Sequence, residues 1–206
     1  MPKQTFFNLP EDKKDLLLHA LEKEFSRVPL FDASISNIVK EANIPRGSFY
    51  QYFEDKEDAY FYLLSIQVEQ KKTIFRQVLE EENGDLFQAM SRITELTIVE
   101  LAKGESLLFL KNAFLNMTHE IENMFNRIFN GNGTAEQFKE ISCRIDKQNL
   151  NIKSDIELYH VMQLLGMVTF RCVINKLAKN IPLEQALESY HLEMQLLKQG
   201  LYKETK

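Results

Sequence analysis

The side chains best placed to do chemistry in this sequence lie between Ser34 and Lys56. The chemistry they suit is hydrogen bonding to a polymer rather than bond breaking. Arg46, Gly47, Ser48, Gln51 and Tyr52 fall on the polar side of a short segment, while Phe49 and Phe53, spaced i, i+4, mark its apolar side. A short, exposed helix start rich in hydrogen-bonding groups is what a recognition helix needs to reach base edges in a DNA major groove. Ser34 and Lys56 stand at the starts of the flanking segments, where a hydroxyl, an ammonium and free backbone N–H groups hold phosphates. Enzyme chemistry finds little support. His19, His119, His160 and His191 are isolated, with no Cys or carboxylate at metal-ligand spacing beyond the adjacent pair His119-Glu120. No Gly-rich phosphate loop, nucleophile elbow or HExxH motif occurs. Catalysis, a metal and a cofactor are therefore not expected.

The elements that must carry those residues are helical. With 7 Gly and 5 Pro in 206 residues, the chain is too poor in turn residues for a many-stranded β protein. Most glycines fall where apolar periodicity breaks, at Gly84, Gly104, Gly131, Gly133 and Gly200. The spacing predicts a first helix over 10–26 with Leu17, Leu21 and Phe25 on one face, and a short helix over 35–42 opened by Ser34. Asn43-Ile44-Pro45 interrupts the pattern, and a second short helix follows over 46–53. Two short helices joined by such a turn and packed on a preceding helix describe a helix-turn-helix. Asp55 caps a long helix reaching about 83. Further helices are expected near 86–103, 105–117, 120–129 and 134–145, then from Ser154 to 179 and from Pro182 to Gly200. Thr134-Ala-Glu-Gln137 and Ser154-Asp-Ile-Glu157 read as capping boxes. The fold class is all-α, with nine or ten helices.

The run Ser34-Ile-Ser-Asn-Ile-Val-Lys-Glu-Ala-Asn-Ile-Pro-Arg-Gly-Ser-Phe-Tyr-Gln-Tyr-Phe-Glu-Asp-Lys-Glu-Asp58 closely resembles the DNA-binding signature of the TetR/AcrR family of bacterial transcriptional regulators. The resemblance implies a helix-turn-helix domain over 1–55 and a helical effector-binding and dimerisation domain over 56–206. It implies phosphate contacts from Ser34 and Lys56 and from the hydroxyls of Tyr50 and Tyr52. It places Arg46, Ser48 and Gln51 where family members read bases, with Arg46 suited to guanine and Gln51 to adenine. Gly47 would allow close approach of the helix to DNA. Pro45 departs from the Ser or Thr common at that place, so the hydroxyl cap of the recognition helix is missing. Other readings stay open: Tyr50 and Tyr52 as packing residues, and Lys56 as part of a charged first helical turn.

The last two helices are unusually apolar. Ile156, Leu158, Tyr159, Val161, Met162, Leu164, Leu165, Met167, Val168 and Phe170 surround nearly the whole of one of them, and one subunit's core covers only part of such a helix. A homodimer through residues 155–179 and 182–199 is therefore expected, in keeping with the resemblance and with a palindromic double-stranded DNA operator. The stretch Val161–Ala178 also carries Gln163, Arg171, Asn175 and Lys176, which disfavours a membrane span. Between the two ends lies a set rich in Phe and Met. Phe75, Met90, Phe109, Met117, Phe125, Phe129 and Met167, with Asn112 and Arg171, are candidates to line a pocket for a small lipophilic effector. The bland alternative is that the apolar ones are core and the polar ones hydrogen-bonded core or interface residues. The expected function is a ligand-responsive regulator, most simply a repressor released by its effector. The alternative is a helix-turn-helix fold serving protein–protein interaction.

Two cysteines, Cys143 and Cys172, and no leader pattern at the start suggest a reduced cytoplasm. The net charge of −5 argues at first against nucleic acid. Residues 1–60 hold 8 Lys and Arg against 11 Asp and Glu, yet Ser34–Phe53 carries Lys40 and Arg46 against Glu41 alone. Affinity is expected to lean on helix starts, hydroxyls and two-site binding rather than on bulk positive charge.

Overall fold

The computed structural model describes residues 1–102, 108–130 and 135–201. Among the described residues the order is α1 (Gln4–Phe7), α2 (Glu11–Arg27), α3 (Ile35–Glu41), α4 (Arg46–Tyr52), α5 (Lys56–Glu81), α6 (Leu86–Ala102), α7 (Leu108–Leu115), α8 (His119–Asn130), α9 (Ala135–Ser142), α10 (Asp155–Lys179) and α11 (Leu183–Leu201). A 3-10 turn covers Leu30–Asp32, and no strand occurs among these residues, so the all-α class holds. α1 is an addition to the expected set, because four residues are too few to show a period. α11 runs through Gly200 to Leu201, so that glycine does not close it. The expected breaks at Gly104, Gly131 and Gly133, and the capping box opened by Thr134, lie outside the described residues.

The helices form two compact units. The first contains Met1–Gln67 together with α7. Its core is the apolar stripe of α2 (Leu17, Leu21, Phe25) closed by Ile38 of α3, Phe49 and Phe53 beside α4, and Leu64 of α5, all nearly fully buried. Phe25 meets Tyr60 edge-on at 5.0 Å, and Tyr60 meets Phe109 of α7 at 5.2 Å. Each such aromatic contact adds about 0.5–1.5 kcal/mol beyond the area it buries. Asn112 of α7 donates to the carbonyls of Phe25 (3.1 Å) and Ser26 (2.7 Å), satisfying groups that the end of α2 would otherwise leave unpaired.

The second unit holds the later part of α5 from Val68, with α6 and α8–α11. Its centre is aromatic, with Phe75 on Phe129 at 5.2 Å and Phe170 against Phe125 (5.8 Å) and Phe129 (5.9 Å). Gly166 of α10 lets Phe129 approach, since a Cβ there would lie 3.3 Å from its ring. Three polar groups are buried together nearby in the same unit. The Tyr190 hydroxyl lies 3.1 Å from Thr169 Oγ1 and donates to the Met90 carbonyl at 3.2 Å, and Thr94 Oγ1 donates to that carbonyl at 2.7 Å. Burial pushes the Tyr190 phenol up to about 12 against the opposing bonds from Thr169 and Thr94, which keeps it a neutral donor. Ser154 caps α10 by accepting from Glu157 N–H (3.3 Å), while Glu157 Oε2 takes the N–H of Lys153 (2.5 Å), one residue earlier than a standard box would place it.

α10 is long and apolar enough to cross a membrane by length and composition alone. Leu158, Val161, Met162, Leu165, Phe170 and Val173 are instead buried within the unit. Three others stay on the surface: Ile156 is 71% exposed, Leu164 45% and Met167 49%, and Leu192 and Leu196 of α11 are 58% and 60% exposed.

Candidate nucleic-acid interface

The site is assembled by three short stretches of the first unit. α3 begins after Ser34, whose backbone is extended and whose side chain caps nothing, leaving its hydroxyl free of the helix. The start of α3 is held instead by Glu24 of α2. Its carboxylate accepts the Ser34 N–H at 2.8 Å and Asn37 Nδ2 at 3.1 Å, while Arg27 Nε and Nη2 reach it at 3.0 and 2.7 Å. Burial alone would raise this carboxyl's pKa, but the bonds from Arg27, Ser34 and Asn37 hold it below its ordinary value. A negative charge at a helix start also opposes the positive end of the α3 dipole favourably.

The turn between the helices is fixed by Asn43, which takes a left-handed φ of 51°. Asn tolerates that conformation, and the Ile44 N–H then returns to the Val39 carbonyl at 3.0 Å, which ends α3. Pro45 precedes the first residue of α4 with no side-chain cap, and its carbonyl accepts the Ser48 N–H at 2.9 Å. α4 is then pinned by Phe49 and Phe53, both fully buried, so its other faces are committed outward.

On those faces Arg46, Gly47, Tyr50 and Gln51 are exposed, and Ser48 and Tyr52 are half-buried. A Cβ at Gly47 would meet nothing within 4 Å, so another molecule can approach the backbone there. Arg46 Nη1 donates to Ser36 Oγ at 2.8 Å, which aligns the guanidinium along the outer surface. Tyr50 is 41% exposed, its ring edge-on to Phe49 at 5.6 Å. Lys56 opens α5 but is turned inward: its Nζ donates to the carbonyls of Phe31 (2.6 Å) and Ala33 (3.2 Å), the stretch that leads into Ser34. Asp55 accepts the Asp58 N–H at 2.8 Å as the cap of α5, and Asp58 accepts the Glu54 N–H at 3.1 Å. Ser34, Arg46, Gly47, Ser48, Tyr50, Gln51, Tyr52 and Lys56 thus sit on one helix-turn-helix and its immediate supports.

Sequence reasoning missed two residues here. Ser36 was passed over because a Ser inside a short helix carries no signal of its own. Glu24 had a signal, because it interrupts the apolar face marked by Leu17, Leu21 and Phe25 with an acid.

The nine pocket candidates fall in three places. Phe75, Phe125 and Phe129 come together in the aromatic centre of the second unit, with Met90 buried on α6. Phe109 and Asn112 belong to α7 in the first unit, where Asn112 is occupied by α2, and Met117 follows that helix, half-buried. Met167 and Arg171 lie on the exposed side of α10, where Arg171 pairs with Glu193. Arg171 lines an open cleft of about 370 Å³ between α10 and α11, with Asn175, Lys179, Gln185 and Ser189. Among the described residues, no group of three or more His, Cys, Asp or Glu side chains is arranged to hold a metal ion. Cys172 is buried, and burial pushes its thiol up to about 11, so it is not a thiolate at neutral pH.

Two family models match the chain. One, described as bacterial regulatory proteins, tetR family, matches residues 17–61, and the other, described as tetracyclin repressor-like, C-terminal domain, matches residues 85–201. No curated protein matches the chain. Among solved structures, it is similar to a putative TetR-family transcriptional regulator from Mesorhizobium loti, at 14% identity over 93% of this chain and 98% of that one, with a TM-score of 0.62. It is similar to the transcriptional regulator FadR from Bacillus subtilis, solved in complex with stearoyl-CoA, at 17% identity over 90% and 98% of the two chains, with a TM-score of 0.60. It is also similar to SmeT, the repressor of the Stenotrophomonas maltophilia multidrug efflux pump SmeDEF, at 16% identity over 97% and 93%, with a TM-score of 0.60. At these identities the likeness is one of fold.

Proposed function

The chain belongs to the TetR family of bacterial regulatory proteins, and from that premise we propose that it is a ligand-released repressor that binds a palindromic DNA operator as a homodimer. The observation that carries the reading is the outer face of α4. Arg46, Ser48 and Gln51 are presented around an unobstructed Gly47, on a helix whose inner side is locked by Phe49 and Phe53. A helix of that length and exposure fits the major groove, where an Arg or Gln fork distinguishes bases. Ser34, Tyr50 and Tyr52 supply hydroxyls for phosphates. Lys56 serves the same surface by fixing the carbonyls of Phe31 and Ala33 ahead of Ser34.

The dimer reading is supported by the exposed apolar residues of α10 and α11. Ile156, Leu164 and Met167, with Leu192 and Leu196, are spaced so that each helix presents them on one side. Pairing these helices with a second copy covers them, and a palindromic operator offers each protomer one of two half-sites about one helical turn, ~34 Å, apart. For the effector, the aromatic centre around Phe75, Phe125 and Phe129 favours a lipophilic ligand, and a protein of the same fold was solved with stearoyl-CoA. α5 contributes its first residues to the unit that holds α4 and its later ones to the unit that holds these rings. A ligand that shifts α5 can therefore change operator affinity, provided it binds the two states unequally. Such a regulator works in the cytoplasm and catalyses no reaction.

Selection of duplexes from a random pool by the purified full chain tests this. A palindrome should be enriched and bound with micromolar or tighter affinity at physiological salt. Stearoyl-CoA, as the probe ligand, should then weaken that binding about 5- to 150-fold, the usual range of such couplings. Only nonspecific binding would overturn the regulator reading. Operator binding indifferent to stearoyl-CoA would overturn the long-chain acyl class of effector.

A further inference from the structure

α4 is only two turns long, and its last carbonyls have no partners within the helix. The Phe49 carbonyl accepts the Phe53 N–H at 2.9 Å, which leaves those of Tyr50, Gln51 and Tyr52. α4 carries no basic residue in its last turn, and residue 53 is already extended, so α4 does nothing locally to satisfy them. All three are taken by the start of the chain. The Lys3 N–H donates to the Tyr52 carbonyl at 2.8 Å, Lys3 Nζ donates to the Tyr50 carbonyl at 2.8 Å, and the Thr5 hydroxyl donates to the Gln51 carbonyl. The lysine ammonium also sits at the negative end of the helix dipole.

These bonds are held in place by packing. Phe6 of α1 is 1% exposed and lies 5.2 Å from the ring of Phe53 and 5.1 Å from that of Tyr62. α1 itself is closed by local bonds, from the Asn8 N–H to the Gln4 carbonyl (3.2 Å) and from the Leu9 N–H to the Phe6 carbonyl (3.1 Å). The family model for the DNA-binding segment begins at residue 17, so this clasp lies outside what that model covers.

We propose that residues 2–9 are a positioning element of the DNA-reading face: Lys3 and Thr5, anchored by Phe6, hold the last turn of α4 in helical form and so set where Tyr50 and Gln51 point. The proposal rests on the DNA-binding reading above. Without these donors the last turn of so short a helix frays, because few bonds oppose the entropy gained by its residues. Tyr50 and Gln51 would then pay for their ordering when DNA binds.

Three full-length variants test it, with the operator that the wild type selects and an unrelated duplex as probes. Thr5→Val keeps the shape and removes the hydroxyl, Thr5→Ser keeps the hydroxyl, and Lys3→Met removes the ammonium. Thr5→Val and Lys3→Met should each weaken operator binding roughly fivefold per recognition helix, the size of one ordinary hydrogen bond, or about 25-fold for a dimer. Binding to the unrelated duplex should fall by less than operator binding, because Gln51 reads no base there and only the Tyr50 phosphate contact is affected. Amide exchange of Gln51, Tyr52 and Phe53 should quicken in both, with the melting of the second unit unchanged. Thr5→Ser should restore affinity and exchange rates together. Wild-type operator affinity in Thr5→Val and Lys3→Met, or failure of Thr5→Ser to restore it, overturns the clasp and leaves the DNA-binding reading standing. If the wild type selects no operator, the DNA-binding reading falls and takes the clasp with it.

Discussion

Replacing Glu24 with Gln asks how much of the helix-turn-helix depends on one buried carboxylate. Glu24 is 4% exposed and receives donors from Arg27, Ser34 and Asn37 at 2.7 to 3.2 Å. An amide of the same shape keeps one acceptor and turns an NH2 toward groups that are themselves donors. Arg27 has a half-exposed side chain, so solvent screens its pairing and its share is small. The bonds from Ser34 and Asn37 go to a charged acceptor away from water, where each is worth roughly 1.5–3 kcal/mol, and the remaining amide oxygen recovers part of that. The expected loss is about 2 kcal/mol, or a fall in Tm of roughly 4–8 °C for a chain of this size. The same carboxylate gives the loss a pH dependence. Its folded-state pKa lies below the ordinary 4.5, so its contribution is fully present above that value and disappears as pH falls through the lower folded value. Thermal unfolding followed by circular dichroism should therefore show the widest gap between Glu24→Gln and wild type near pH ~7, closing as the pH falls progressively below the ordinary 4.5. An undiminished gap in acid, or no gap at neutral pH, would refute the assignment of a buried charge to this site.

Other perturbations reach different parts of the account. Leu164→Glu combined with Leu196→Glu places charges on the proposed pairing face, so sedimentation should find a particle of 24.2 kDa where the wild type gives twice that mass. Helical content should be unchanged, and a wild-type particle that is itself monomeric would contradict the pairing. Gly84→Ala forces a side chain onto a φ of +82°, with its Cβ 2.7 Å from the Arg144 carbonyl oxygen and the Asp146 nitrogen. Both neighbours are backbone and cannot swing aside, so a loss of about 3 kcal/mol or more is expected in chemical denaturation. Operator binding should depend weakly on salt for a DNA-binding protein. With Lys40 and Arg46 as the cations of the recognition segment in each protomer, log K against log salt should be no steeper than about −4. A slope near that of a basic DNA-binding protein, about −8 to −10, would show that other cations carry the binding.

The helix-turn-helix was legible because its signals are local. Ile38 marks the inner side of α3 and Phe49 and Phe53 that of α4, and Asn43 and Pro45 punctuate the turn, so the expected helices match α3 and α4 to within a residue. The caps at Asp55 and Ser154 were readable for the same reason. What escaped depends on distant partners. α1 owes its existence to Phe6 entering the Phe53–Tyr62 cluster and to donors for the end of α4, and no period within four residues announces that. Lys56 looks from sequence like a free cation at a helix start, yet the carbonyls it serves lie more than twenty positions earlier. Phe109 and Asn112 sit in an apolar stretch that sequence alone leaves open between core and effector pocket. The structure sets them against α2, a partner remote in the chain. Gly200 shows the limit of a local rule, since a glycine near the end of a helix need not close it.

The central claim is that α4 reads base edges in the major groove, with Arg46 as its principal reader. Methylation interference on the selected operator tests it most directly, because guanine N7 lies in the major groove and adenine N3 in the minor. The account predicts that N7 methylation at symmetric guanines, one per half-site and about one helical turn apart, blocks the wild type and no longer discriminates for Arg46→Ala. Interference confined to adenine N3, or an identical guanine pattern for the two proteins, would contradict it.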